Sequence, residues 1–492
     1  MASCACAVAV RGANWSSIRA ARAACAFLKR DVMHKHSAIS GMRAGNSRTL
    51  RVAYGVGAFG ALLCYAPIPL LFLYYLTEYA GISPALAGMI LAIPKIFDLA
   101  LDPWIGRSAD RFAQGRGSRI AVLRVCIAIL PLSMLLLFLP LPKWPPATLA
   151  LFYAALLIVQ SYTVTAFSVA HTALAGDLSE EPAAQASLLS ARAFGSTLAG
   201  LGVAGGAPLL IAASGGGHRG YLVMALVLGL AAAAALLWCC HAARGTPLRS
   251  AGAAHHRVAA ESLWRDLGAT VANRAFYAIA LMLVLIGIGS SSFLSLLPYV
   301  NKYLLYAPPE RLSVLLVPIF LALLGGVAVA PAVFRRLGTT AAMLLALTVS
   351  IAGVLLVGMA IWRADDALLI ASCALFGFGG GVMTVLIATT GMQLASVGGA
   401  GEGRLGLYLG ILFSAEKLGQ SIGGIAAGGG LSLVHITPGA ASIGPEVAAR
   451  LGVLTVAAPL ASMTACLCVL LASATGLKRH EGVAAGRREA NA

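Results

Sequence analysis

The chain has 492 residues, of which 59% are hydrophobic and 11% charged, with a mean hydropathy of +0.87. A soluble domain carries about 25% charged residues, so the composition excludes an ordinary soluble protein and predicts an integral membrane protein. The net charge of +17 does not predict nucleic-acid binding, because the basic residues lie between apolar runs rather than in one patch.

Residues 1–51 hold nine Lys or Arg and one acid, Asp31. No apolar stretch precedes a cleavage site there, so the segment does not read as a secretory signal. It reads as a transit peptide, a disordered cytoplasmic arm, or sequence upstream of a start at Met42. Twelve segments then match the length of roughly 20 residues that a bilayer asks for. The first six fall near 52–77, 84–106, 120–140, 147–175, 186–213 and 220–241. The second six fall near 274–301, 312–334, 339–361, 367–393, 405–433 and 451–474. The expected fold is therefore all-α: twelve transmembrane helices in two six-helix bundles, over 52–241 and 274–477. A central linker (242–273) joins them, and 478–492 forms a tail. Alternate connections carry 15 and six Lys or Arg, which predicts that both termini and the linker are cytoplasmic, in the cell inner membrane.

Glycines cluster inside spans, at Gly377–Gly381 and Gly423–Gly430, where small residues let membrane helices approach closely. The ten cysteines show neither metal-ligand spacing nor a disulfide framework, and read as small core residues. Cys4 and Cys6 stand apart as an isolated pair. No metal or cofactor is expected beyond a coupling H+ or Na+.

The chemistry concentrates in Lys95-Ile-Phe-Asp98-Leu-Ala-Leu-Asp102-Pro103. On a helix, Lys95, Asp98 and Asp102 fall at i, i+3 and i+7 and share one face. A charge near the middle of a membrane helix costs about 2.5–3.5 kcal/mol on insertion scales, so such residues mark a function by default. Two readings stand: a cation- or substrate-binding stripe along a water-filled cavity, or a Lys95–Asp98 salt bridge that only locks helices. One Gly-x-Ser-x-Gly, Gly419-Gln-Ser421-Ile-Gly423, lies inside the eleventh span. A nucleophile elbow needs a strand-to-helix turn there, so the match does not predict an enzyme.

Gly106-Arg-Ser-Ala-Asp110-Arg111, with Arg116 and Arg119 beyond it, resembles the cytoplasmic gating loop of the major facilitator superfamily. Tyr54-Gly-Val-Gly-Ala-Phe-Gly60 and the Lys95–Pro103 stretch narrow the resemblance to the glycoside–pentoside–hexuronide:cation symporters, the family of melibiose permease. Ala191-Arg192-Ala-Phe-Gly-Ser and Ser414-Ala-Glu416-Lys417-Leu-Gly-Gln420 agree with it. The resemblance implies that Asp98 and Asp102 take the cation-coupling positions. It also places Arg192 and Lys417 near the substrate, with Lys95, Gln420, Ser168 and His171 in the same cavity.

The departures carry information too. The family's first-span acid falls at Leu62 and its fourth-span acid near Ser168, with His171-Thr172 replacing an aromatic pair. Lys95, Arg192 and Lys417 against Asp98, Asp102 and Glu416 leave cationic anchors that suit a sugar acid or another organic anion. His171 on its own reads as a packing residue. Gln160, Gln185 and Gln393 are further polar candidates for the cavity.

The expected function is secondary active transport, a monomeric carrier in the lipid bilayer moving a small polar solute (sugar, glycoside or sugar acid) by cation-coupled symport. The alternatives are a lipid or other organic-anion carrier on the same fold, or a non-transporting sensor. A sodium site wants several anionic oxygens, and with Ser168 in place of an acid the sequence favours a proton.

Overall fold

The computed structural model describes residues 48–142, 144–179, 181–244, 246, 274–397 and 402–490. The basic segment before residue 48, the Cys4–Cys6 pair and the linker from 247 to 273 lie outside them. So do the side chains of Asp102, Asp110 and Gln393 and the burial of Gly106, although their backbones are helical.

The first bundle runs α1 (Arg48–Glu78), α2 (Pro84–Arg116), α3 (Ile120–Leu137), α4 (Pro146–Leu178), α5 (Pro182–Ala213) and α6 (Gly217–Ala242). The second runs α7 (Arg274–Leu304), then α8 (311–337) and α9 (339–363), which are continuous except at Gly338 (φ 75, ψ 173). It ends with α10 (Asp366–Val397), α11 (Glu402–Leu433) and α12 (Pro445–Ala490). Nine described helices are apolar and long enough to cross a membrane, with the α8–α9 pair as one of them. Helices α2 and α11 span 33 and 32 residues, also long enough to cross a bilayer, which completes twelve.

Helix ends follow local chemistry. Proline occupies the first turn of α2, α4 and α5, where a missing N–H leaves nothing unpaired. Helix α2 stops at Gly117, whose φ of 69 is a left-handed cap conformation open to glycine.

The bundles repeat one plan. Helix α1 packs against α5 and α6, and α7 packs against α11 and α12. A Cβ on Gly195 would come 2.0 Å from the Gly55 carbonyl oxygen, and one on Gly419 would come 2.2 Å from that of Val284. These two sites hold the α1–α5 and α7–α11 crossings at backbone contact. Gly377 and Gly381 do the same between α10 and α8, with the Ile319 and Leu323 carbonyls each 2.1 Å from a built Cβ. In lipid, where helix association draws on close packing rather than water exclusion, such sites carry the interface.

Helices α1 and α7 also share a π-helical turn, at Ile68–Phe72 and Val300–Leu304. Single π turns often sit at functional positions, and both of these lie at one end of the molecule. Between the bundles, α2 crosses α11 and α5 crosses α8. Gly88 and Gly428 meet at the first crossing, where a Cβ on Gly428 would sit 2.3 Å from the Pro84 carbonyl oxygen. At the second, Ser313 Oγ donates to the Gly205 carbonyl at 2.7 Å. The Gly-x-Ser-x-Gly segment is plain α11, with Ser421 Oγ donating to the Lys417 carbonyl at 2.9 Å.

Candidate functional site

Midway along α2, the polar residues reach across to α11. Lys95 Nζ donates to Gln420 Oε1 at 2.6 Å, so the lysine bridges the two bundles. Gln420 is steered in turn: its Nε2 donates to Glu416 at 3.3 Å, and its carbonyl accepts from Ser291 Oγ of α7 at 3.0 Å. Asp98 is buried, 6% exposed. Its Oδ2 accepts from Ser161 Oγ of α4 at 2.6 Å and lies 3.5 Å from Lys417 Nζ of α11. A carboxylate out of water is tolerable only with such partners. Lys95 and Asp98 are thus held by different groups, and each is tied to the opposite bundle.

Beside them lies a small space lined by Tyr65, Lys95, Gln160, Ser161, Ser291 and Gln420, with a volume of about 30 Å³. A single water needs about 10–15 Å³ of that kind of space. In this arrangement the space admits a water or an ion, and a sugar-sized solute requires the bundles to part. Gln160 is fully buried and donates to the Cys64 carbonyl at 3.0 Å. Gln185 instead serves the α4–α5 turn, donating to the Ser179 carbonyl at 2.8 Å.

Arg192 and Ser168 meet within the first bundle, with an Arg192 terminal nitrogen 2.6 Å from Ser168 Oγ. Arg192 Nε is buried and has no hydrogen-bond partner. His171 is sealed, 0% exposed. It stacks on Tyr54 at 4.0 Å and Phe167 at 5.0 Å between ring centres, its carbonyl accepts from Tyr54 at 2.5 Å, and Cys239 Sγ is 3.7 Å from Nε2. That surrounding is a packing environment, and His171 does not line the space beside Lys95. Arg111 of the loop motif is exposed. At that same end, buried Arg119 pairs with Asp177 at 2.9 Å, tying the α2–α3 turn to the end of α4.

Sequence reasoning missed the cluster that closes the opposite end. Glu78, at the end of α1, is ion-paired to Lys302 in the π turn of α7. Tyr303 hydroxyl donates to the same carboxylate at 2.8 and 2.9 Å. Lys302 Nζ also donates to the Ala440 carbonyl at 2.8 Å, which draws in the α11–α12 connection. One turn back, Thr77 and Tyr299 hydroxyls lie 2.5 Å apart, and Tyr74 stands edge-on to Tyr299 at 5.1 Å. The signal was present in paired positions of the first and seventh spans, but Lys302 reads from sequence as a topological charge. The lock is a buried carboxylate paired with a half-buried lysine under a roof of tyrosines, joining the bundles across α1 and α7.

The comparisons fit this architecture. The family model described as MFS/sugar transport protein matches residues 53–473. A protein of Synechocystis sp. named uncharacterized symporter sll1374 is 43% identical over 72 residues, 15% of this chain and 13% of its own length. The uncharacterized symporter YnaJ of Bacillus subtilis is 27% identical over 193 residues, 38% of this chain and 42% of its own. The chain therefore matches less than half the length of either curated relative. Among solved structures, the nucleoside transporter NupG superposes with a TM-score of 0.62 at 12% identity, over 85% of this chain and 98% of that one. A bacterial homologue of the human lysosomal transporter Spinster, inward-facing and unoccupied, gives 0.59 at 15% identity, over 88% and 95%. At those identities the solved structures speak to the fold, which is that of the major facilitators. The family match is what assigns the chain: it belongs to the MFS/sugar transport protein family and is a multi-pass membrane protein.

Proposed function

We propose that this protein is a cation-coupled symporter of a small polar solute, a sugar, glycoside or sugar acid. In this reading Asp98 carries the coupling charge, with Asp102 as its neighbour on α2. The observation that carries it is the buried Asp98 carboxylate held between Ser161 of one bundle and Lys417 of the other. Adding a proton or a metal cation there weakens the pull on Lys417, so ion occupancy changes the tie between bundles. That is the linkage a symporter needs, since an ion shifts a conformational equilibrium only through differential affinity for its two states. The pair of symporter-named relatives supports the same reading.

By the distribution of basic residues, the end holding residue 48 and the Gly106–Arg119 loop faces the cytoplasm. The Glu78–Lys302 lock then closes the outer side, and the structure stands in an outward-closed state. Lys95, Gln420, Arg192 and Ser168 supply hydrogen bonds and positive charge to the solute as the bundles rock about the midplane. Arg192, with a planar fork of donors, suits a carboxylate or a pair of vicinal hydroxyls.

Thermal unfolding of the purified chain against sugars, sugar acids and lysolipids tests this. A solute at about 100 times its Kd adds about 2.7 kcal/mol of stability. A sugar or sugar acid should raise the melting temperature of the wild type, and Arg192→Ala should lose that rise while keeping its ligand-free melting temperature. Stabilisation by lysolipids alone would assign the cleft to a lipid carrier instead.

A further inference from the structure

Helices α2 and α11 run antiparallel and meet rung by rung. The Ala85 amide donates to Ser432 Oγ at 2.9 Å, Gly88 meets Gly428, and a Cβ on Gly424 would lie 3.9 Å from that of Leu91. Lys95 then reaches Gln420, and Asp98 reaches Lys417. The rungs advance three or four residues at a time on both helices, which is the spacing of one helix face. The face is small and apolar at one end and charged at the other.

The two charged rungs are crossed. Asp98 of the first bundle holds a lysine of the second, while Lys95 of the first answers to an acid of the second, Glu416, through the Gln420 amide. A lysine ammonium only donates and an ionised carboxylate only accepts. The amide therefore turns its oxygen to Lys95 and its NH2 to Glu416, at 2.6 and 3.3 Å. Unlike buried Asp98, Glu416 is exposed, and it lies nearer the start of α11 than Gln420 does. Lys95 and Lys417 act on it directly, and Asp98 shares both lysines. Tyr65 of α1 is also in reach, and α7 presents Gly287 to this turn.

We propose that Glu416 is a second coupling acid, for which Lys95 and a proton compete. With the bundles together, the chain from Lys95 through Gln420 keeps Glu416 as the carboxylate. A proton added there makes Glu416 a donor, leaves the amide no anion to face, and releases the Lys95 rung. When the bundles part, the lysine departs and the carboxylate takes up a proton. When they close, the lysine returns and the proton leaves by the exposed side, which is the cytoplasm in the orientation proposed for the bundles. The proton thus binds one arrangement in preference to the other, and coupling requires that difference. The proposal rests on the symport reading, but not on the part Asp98 plays in it.

The test is the distance between spin labels on Thr148→Cys and Ala364→Cys, exposed positions at one end of the two bundles. The purified full-length chain carries serine at Cys4, Cys6, Cys25 and Cys468. From about pH 7 to about pH 4, through the ordinary range of a glutamate, this parent should shift towards the longer distance. Glu416→Gln, neutral and of the same shape, should show the longer distance already at neutral pH, and Glu416→Asp should restore the shift. In a Lys95→Met background Glu416→Gln should change nothing further, because the rung is already lost. Glu416→Gln with the parent's distances at every pH would overturn the proposal. So would an undiminished effect of Glu416→Gln in the Lys95→Met background. A response lost in Glu416→Gln but intact in Asp98→Asn would remove Asp98 from the coupling and leave Glu416 in it. A parent that ignores pH altogether would contradict proton symport itself.

Discussion

Lys302→Met is the sharpest perturbation of the outer lock. The substitution keeps the apolar stem and removes the ammonium that pairs with Glu78. Glu78's side chain is 1% exposed and Lys302's 28%, so the carboxylate is left buried with the Tyr303 hydroxyl at 2.8 Å as its remaining donor. Breaking a fully buried pair costs about 3–5 kcal/mol. Discounted for the lysine's exposure, the closed arrangement loses about 2 kcal/mol, or about 30-fold in the ratio of closed to open carriers. The open arrangement is untouched, because the two groups are then apart.

The assay is the labelling of Ser295→Cys by a membrane-impermeant maleimide added from outside, above the background of the unsubstituted chain. Ser295 lines the space beside Lys95 and is 5% exposed. The labelling rate should rise by about 30-fold in Lys302→Met. It should fall back when Glu78→Gln is added, since a neutral amide tolerates burial without the lysine. A Lys302→Met protein that melts normally and labels at the wild-type rate would refute the lock.

Two further outcomes check the framework. Gly195→Val should destabilise the α1–α5 crossing by several kcal/mol, seen as a drop in melting temperature, because a Cβ there would lie 2.0 Å from the Gly55 backbone oxygen; an unchanged melting temperature would mean the helices do not meet there. A cysteine at exposed Gly115 should label only from the cytoplasmic side and one at exposed Ala364 only from outside, and the reverse pattern would invert the orientation.

The bundle of helices was legible because hydropathy alone marks spans in a medium that cannot satisfy backbone groups. Helices α2 and α11 were legible in the same way, as apolar runs of spanning length with the Lys95–Pro103 and Ser414–Gln420 motifs inside them. What sequence did not contain was the partner of each charge. Lys95 and Asp98 sit at i and i+3 and were open to pairing with one another, yet Lys95 reaches Gln420 and Asp98 reaches Ser161 and Lys417. Helix periodicity fixes which residues share a face; which helix of the other bundle meets that face depends on the packing of twelve helices. Glu78 and Lys302 are 224 positions apart and have no local pattern linking them. The π turns that present Lys302 and Tyr303 had no sequence signal beyond nearby prolines. Ser161, which holds Asp98, is a small polar residue in an apolar span, and nothing beside it in the sequence marks it as that partner.

The central claim is that a cation drives the solute and that Asp98 carries its charge. It is tested most directly by uptake into proteoliposomes holding the purified chain, with a pH gradient or a sodium gradient imposed separately. With Ser168 where a third acid would sit, the account predicts accumulation under the pH gradient and little under sodium. Asp98→Asn should abolish accumulation under either, with solute exchange surviving if binding is intact. Accumulation by Asp98→Asn equal to the wild type would contradict the account, and uptake driven by sodium and indifferent to pH would overturn its choice of ion.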